Sequence, residues 1–282
     1  MRKGLLGLLG LIVLGVIVGL DIRVTTNEQD EQIELDLQLE EEELGMVFLD
    51  LPNGESTYLE LPDGETILIG TGAKDSSEEL FTRLNKLNVS HINTIILPRF
   101  EKEYSGNVEK MVTQFQTDQL IVPNQGLSQA ITQYQYLGID IVGWEEEEDY
   151  DISEFLQIKT LSNHSSLMPM LSFIITVHNK HRFFFSSEAN EQLERNWLEK
   201  GLSPVTLLKV AEFGTDEGTT QRFLKEIDPQ VAILFSKENA EISGALLERL
   251  QETWIDTYTM NQNGSVILKV NEFDYELVTV HF

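Results

Sequence analysis

From residue 46 to residue 282 the sequence keeps one rhythm twice over: a cluster of short apolar runs, then apolar runs alternating with amphipathic segments. Short apolar runs bounded by turn residues read as strands, and apolar residues recurring at three- and four-residue intervals read as helices. The first half predicts strands at 46–50, 56–61, 66–69, 93–97, 119–122 and 139–143, with helices at 76–87, 106–116 and 126–137. The second predicts strands at 155–160, 171–177, 181–186, 205–210, 230–235, 256–259, 265–270 and 275–281, with helices at 190–200, 218–226 and 241–252. No residue-level repeat accompanies this rhythm. Strand clusters followed by strand–helix alternation, twice, point to a mixed α/β (α+β) architecture in which two sheets face each other and helices cover both outer faces. That is a four-layer αββα sandwich.

The N-terminus is of another kind. "MRKGLLGLLGLIVLGVIVGLD" carries two positive charges, then 17 uncharged, mostly aliphatic residues from Gly4 to Leu20, then Asp21. With no polar face, the run does not suit a helix on a soluble surface. Its length is at the lower end of what crosses a bilayer and slightly long for a signal-peptide core. No small-x-small cleavage site follows Leu20, so residues 1–20 are expected to stay as a transmembrane anchor; a cleaved signal, and hence a secreted protein, is the alternative. Arg2 and Lys3 on the inner side leave the remainder facing outward. Residues 21–45 hold ten acidic side chains and one basic one, Arg23, which predicts a self-repelling solvated linker. Within it "IELDLQL", Ile33 to Leu39, alternates like a strand that could join a sheet edge. The expected domain is therefore 46–282.

Charge excludes more than it identifies. Lys and Arg number 20 against 47 Asp and Glu, a formal net charge of −27. Nucleic-acid affinity rests on cations that neutralise phosphates, so nucleic acid is not an expected partner. The membrane, through residues 1–20, and an unidentified protein or envelope component are the expected ones. The chain has no cysteine. Disulfides, thiol nucleophiles and thiolate metal sites are thus excluded.

Five segments carry a resemblance. In order they are "MVFLDLPNGESTYLELPDGETILIGTG" (46–72), "NTIILPRFEKEYSGN" (93–107), "RFFFSSEA" (182–189), "LLKVAEFGT" (207–215) and "PQVAILFSKENAE" (229–241). Together they resemble the landmark segments of the ComEC-type metallo-β-lactamase-fold family and span nearly all of 46–282. In that family the first segment reads Asp-Val-Gly-Gln-Gly-Asp and then Leu-Ile-Asp-Thr-Gly. This chain has Asp50-Leu51-Pro52-Asn53-Gly54-Glu55 and Leu68-Ile69-Gly70-Thr71-Gly72, so Gly54 and Gly72 are kept while Gly70 stands where the family has Asp.

The resemblance also implies a metal motif, Thr-His-x-His-x-Asp-His-x-Gly-Gly. With Gly106 on the first Gly, Pro98 takes the place of Thr, Arg99 of the first His, Glu101 of the second, Glu103 of Asp and Tyr104 of the last His. Ser187-Glu188 stands for the family's Gly-Asp, Glu212-Phe213-Gly214 for its His-His-Gly, and "KENAEISG" (237–244) for its later His segment. Imidazole nitrogens hold zinc in such sites and a carboxylate orients the metal's water. Arginine is a permanent cation and cannot ligate. A catalytically degenerate site with no cofactor is therefore expected at Asp50, Gly70, Arg99, Glu101, Glu103, Tyr104, Glu188 and Glu212, with no catalytic residue assigned. Burying these carboxylates without a metal is costly unless a cation replaces it, and Arg99 can do so by pairing with Glu188, Glu212 or Glu101. An exposed charged loop is the plainer reading of Arg99, Glu101 and Glu103.

The histidines do not restore the site. His91 and His281 flank strands, His178 and His181 fall in a hairpin turn, and His164 lies in "NHSS". His164 beside Ser165 and Ser166 could suggest nucleophilic catalysis, but no G-x-S-x-G elbow exists. The second functional reading is a hydrolase or phosphodiesterase holding Ca²⁺, Mg²⁺ or Mn²⁺ at carboxylates, since hard cations favour oxygen. The first is a membrane-anchored, extracytoplasmic binding or scaffolding domain.

Overall fold

The computed structural model describes residues 23–26, 33–163 and 168–282. A short ribbon of β1 (Arg23–Thr26) and β2 (Ile33–Asp36) precedes β3 (Leu44–Phe48), β4 (Thr57–Glu60) and β5 (Thr66–Ile69). Helix α1 (Ser77–Lys86), β6 (Thr94–Ile96), α2 (Lys102–Ser105), α3 (Val108–Phe115), β7 (Gln119–Pro123), α4 (Leu127–Tyr134) and β8 (Asp140–Trp144) complete the first half. The second half opens with β9 (Asp149–Asp151), β10 (Leu156–Thr160), β11 (Phe173–Val177) and β12 (His181–Phe185). It continues with α5 (Glu191–Glu199), β13 (Leu207–Lys209), α6 (Gln221–Ile227), β14 (Val231–Leu234), α7 (Gly244–Glu252), β15 (Asp256–Thr259), α8 (Met260–Asn263), β16 (Ser265–Val270) and β17 (Tyr275–Val280).

Two sheets result. One has eight strands in the order β17-β16-β3-β4-β5-β6-β7-β8, the other seven in the order β15-β14-β13-β12-β11-β10-β9. In each, antiparallel strands lead into parallel ones joined through helices: β5 to β8 in the first, β12 to β15 in the second. The run Phe183-Phe184-Phe185 shows how alternation builds layers. Phe183 and Phe185 enter the core between the sheets, and Phe184 enters the core beneath α5, α6 and α7. Each fully buried phenylalanine contributes roughly 1.5–3 kcal/mol. Phe185 stacks on Phe48 at 5.9 Å and on Phe173 at 5.2 Å, tying the sheets together. On the far side Leu80, Leu84, Met111, Phe115 and Ala130 cover the outer face of the first sheet. Three cores thus separate four layers.

Every strand and helix expected from 46 onward is present, shifted by a few residues at the ends. Two segments differ. The solvated linker expected at 21–45 ends sooner: Leu35 and Leu37 are buried in the core under α1, and Glu43 is buried against Lys269 with Oε2 and Nζ 3.2 Å apart. The leucines of "IELDLQL" bury one face, and Lys269 neutralises Glu43 where the acidic run enters the fold. The acidic run 145–151, for which no strand is predicted, ends in edge strand β9, whose Asp149 and Asp151 point to solvent. Residues 1–20 and His164 lie outside the described residues. Among the described residues no helix is long and apolar enough to cross a membrane.

Candidate functional site

The loops after β3, β5, β6 and β14 meet at one rim of the sandwich, bonded backbone to backbone. Gly54 N–H donates to Ser236 O at 3.0 Å, Glu55 N–H to Glu103 O at 3.0 Å, Gly72 N–H to Glu55 O at 2.9 Å, and Gly106 N–H to Gly72 O at 2.9 Å. Asn107 clamps the same knot, its Nδ2 donating to the carbonyls of Thr71 and Ala73 at 2.8 Å each. Gly54 has φ +97, and a Cβ there would lie 2.3 Å from Glu103 O. These loops approach too closely for a side chain, which is why glycine stands there.

Arg99 projects from this knot into the junction between the sheets. Its backbone bridges to Met170, and Leu171 N–H donates to Pro98 O at 2.9 Å, so the loop after β6 is pinned to the second half. The residue is 9% exposed. Its guanidinium donates from Nε to Glu101 Oε1 at 3.1 Å, from one terminal nitrogen to Glu212 Oε1 at 2.6 Å and to Ser187 O at 2.7 Å, and from the other again to Glu101. The Tyr104 ring lies 5.5 Å from the guanidinium carbon. Phe213 packs beyond it at 5.7 Å. The planar fork is what allows one side chain to hold two carboxylates and a carbonyl.

A second, deeper pair lies behind Tyr104. The phenol donates to Glu55 Oε1 at 3.3 Å, and Glu55 Oε2 meets Lys209 Nζ at 2.6 Å, both residues being buried. Nearer the surface Lys237 Nζ lies 3.0 Å from Glu103 Oε1. A cavity of about 320 Å³ opens over the group, lined among others by Arg99, Glu101, Tyr104, Glu212 and Lys237.

The electrostatics follow from burial and pairing. Burial raises Glu55, and Lys209's charge and hydrogen bond only partly offset it, so its net shift is upward. For Glu101 burial also pushes upward, but Arg99's hydrogen bonds and charge outweigh it, and its pKa falls below 4.5. Burial lowers Arg99, yet the bonds to Glu101 and Glu212 win and the guanidinium is held charged. Burial drives Tyr104 well above 10.0, so it stays a neutral donor. A carboxylate depressed in the folded state contributes stability that is present above its unfolded pKa and lost as pH falls through the folded one. Glu101→Gln is accordingly expected to flatten the acid limb of the stability curve as pH falls below about 4.5. Thermal midpoints of both chains across that range measure it; parallel limbs would contradict it.

The structure brings together Arg99, Glu101, Tyr104 and Glu212, with Glu103 beside them. Arg99 thus pairs with Glu101 and Glu212, and the exposed-loop reading does not hold. It does not pair with Glu188, whose Oε1 accepts from Asn190 Nδ2 at 2.9 Å and whose Oε2 is buried with no partner among the described residues. Asp50 is not part of the group: Arg83 holds it through both oxygens at 2.8 and 3.2 Å. Gly70 adopts φ +71 with its Cα facing Glu55 O, so it serves the backbone turn. Glu55 and Lys209 escaped the sequence reading. The available signal was a lysine in the wholly apolar run "LLKV", where an unpaired ammonium could not be buried.

The donor set does not suit the zinc pair of the metal motif. Oxygen donors are present, but a permanent cation already occupies the space among them, and among the described residues no imidazole reaches it. His91 bonds Asp118 at 3.0 Å, His178 bonds Glu42 O at 2.8 Å, and His181 is buried beside the Tyr275 ring at 6.1 Å. Among the described residues no three His, Cys, Asp or Glu side chains are grouped so as to hold a metal ion.

No protein-family model matches the chain, and no curated protein matches it in sequence. Solved structures do match in fold. The metallo-β-lactamase fold protein YhfI from Bacillus subtilis superposes with a TM-score of 0.61 at 10% identity, over 83% of this chain and 99% of that one. A diphosphatase from the PhnP family gives 0.56 at 7% identity, over 84% of this chain and 99% of that one. A long-form RNase Z from yeast gives 0.59 at 11% identity, over 85% of this chain and 50% of that one. At such identities the likeness shows the fold alone: this two-sheet α/β sandwich has the metallo-β-lactamase fold.

Proposed function

We propose that this chain is a metal-independent binding or scaffolding domain on the metallo-β-lactamase fold, a degenerate relative of the ComEC-type extracellular domain. The observation that carries this is Arg99, whose guanidinium fills the space among Glu101, Glu212 and the Ser187 carbonyl. A fixed cation there neutralises the carboxylates and repels a second cation, so the loops keep their arrangement without a metal. The ordered segments from 46 to 241 support the ComEC-type relationship. Residues 1–20 would anchor the domain in a membrane with 46–282 on the outer side, where an envelope component or another protein is its partner. The net charge of −27 speaks against DNA as a substrate.

A carboxylate-liganded, metal-dependent hydrolase is the second reading. It draws on the fold shared with the PhnP-family diphosphatase and RNase Z, and on the buried, unpartnered Glu188 Oε2. Metal analysis of the full chain after exposure to Zn²⁺, Mn²⁺ and Ca²⁺, with hydrolysis of bis(p-nitrophenyl) phosphate followed in parallel, separates the two. The expected result is metal well below stoichiometry and no hydrolysis above the protein-free rate. Stoichiometric metal with hydrolysis, both lost in Glu101→Ala or Glu188→Ala, would establish the hydrolase instead.

A further inference from the structure

Alternation along β12 carries Phe183 and Phe185 into the core between the sheets, and the same parity turns His181 inward at the first residue of the strand. The residue is 5% exposed. Its ring hydrogen-bonds the backbone of Asn271, while Nε2 is buried with no hydrogen-bond partner among the described residues. A third phenylalanine would fill an inward position without an orphaned polar atom, so packing alone does not account for the imidazole.

His181 sits on a seam. The turn joining β11 to β12, residues 178–180, belongs to the second sheet, and the turn joining β16 to β17, residues 271–274, belongs to the first. They meet at the rim opposite the candidate site: β12 runs from His181 to Phe185, and Ser187 just beyond its far end accepts from Arg99. Across the seam Lys180 Nζ donates to the Phe273 carbonyl, and the Tyr275 ring meets the imidazole edge-on, at 80°. His178, on the same turn, bonds Glu42 O at 2.8 Å, where the N-terminal segment enters the fold.

A proton affects the two histidines differently. His178 is half-buried and directs Nε2 at a carbonyl, so its charged form keeps that bond as a donor. A proton on His181 Nε2 creates a buried cation with no acceptor. Of the groups facing it, Lys180 and His178 oppose that proton and Asp274 favours it. Tyr275 stays neutral, held so by burial and by the charges of Asp274 and Asp256, and Lys269 and Glu43 at the same end neutralise each other. Burial dominates and holds His181 below 6.5. We propose that His181 is an acid-sensitive latch between the two sheets: Nε2 takes a proton only when the turn at 178–180 lifts from the turn at 271–274, so acid opens the sandwich at this end while the strands beyond it stay paired.

The closed form holds this proton less well than the open one, so closure is fully favoured above pH 6.5 and weakens as pH falls from there toward the closed-form pKa. Within that window the open population rises by up to about tenfold per pH unit. NMR titration of the full chain is expected to show the His181 C2 proton titrating below 6.5. Amide hydrogen exchange, corrected for its intrinsic pH dependence, should be faster in 177–181 and 270–275 at about pH 5 than at about pH 7.5, with β6 and β7 unchanged. His181→Phe continues the phenylalanine alternation and cannot charge, so it should abolish this response. If that variant misfolds, the titration and exchange of the wild type decide. A His181 midpoint at or above 6.5 overturns the latch, as does exchange that quickens uniformly through both sheets, or an acid response that persists in His181→Phe.

Discussion

Lys209→Met is expected to destabilise the fold by about 3–5 kcal/mol, the usual penalty for leaving one half of a buried ion pair uncompensated. Lys209 and Glu55 have side chains 3% and 6% exposed, with 2.6 Å between Nζ and Oε2. Methionine matches the length of the stem and removes the charge, so packing is nearly kept while the Glu55 carboxylate loses its partner. The remaining donor, Tyr104, reaches it at 3.3 Å, too long to replace an ammonium. The double variant Glu55→Gln/Lys209→Met removes both charges. It should recover most of the loss, because a buried pair replaced as a unit costs little. Denaturant unfolding of the wild type, the two single variants Lys209→Met and Glu55→Gln, and the double variant gives the coupling energy directly. A single variant as stable as the wild type, or a double variant no better than the single, would show that the pair is not the unit described.

The second large effect is expected at a position with no side chain. Gly54→Ala should cost about 3 kcal/mol or more, combining a left-handed backbone that alanine adopts poorly with overpacking against rigid neighbours. The added Cβ would lie 2.3 Å from Glu103 O and 2.5 Å from Ala73 N. Both are backbone atoms of the knotted loops and cannot rotate away as a side-chain end would. Gly64 provides the control, since it has φ +85 in the turn between β4 and β5 and an added Cβ there would meet nothing within 4 Å. Gly64→Ala carries the backbone strain without the clash. The difference between their unfolding free energies therefore isolates the close approach, and equal values would remove it from the account.

Much of this was legible in the sequence because strand and helix periodicities are local. "TILI" at 66–69 and "SVILKV" at 265–270 give their strands from residue type alone. That Arg99 pairs with buried carboxylates was legible through charge, because such carboxylates require a positive partner. Which carboxylates Arg99 takes was not. Glu188 precedes Asn190, which bonds it locally, whereas Glu212 adopts φ +46 and turns toward Arg99. Asp50 was misplaced for a related reason: its partner Arg83 sits on α1, 33 residues away. The Glu55–Lys209 pair spans 154 positions, and no local pattern encodes a separation of that size. Acidic composition hid the last features, since Leu35, Leu37 and β9 lie in segments whose charge reads as solvated.

The eight-stranded sheet carries a consequence for how the chain is made. Its strand β3 lies between β4, which follows at once, and β16, near the end of the chain, with Val47 opposite Ile267. As the protein emerges from the ribosome, β3 to β8 can pair while one edge of β3 stays open until nearly all the remaining residues have been synthesised. Closing that gap joins distant parts of the chain, a slow step in folding. Through that interval the open strand is a template for pairing with other chains. Within this sandwich β16 and β17 thus act as the clasp of the eight-stranded sheet, and aggregation during synthesis competes with their arrival.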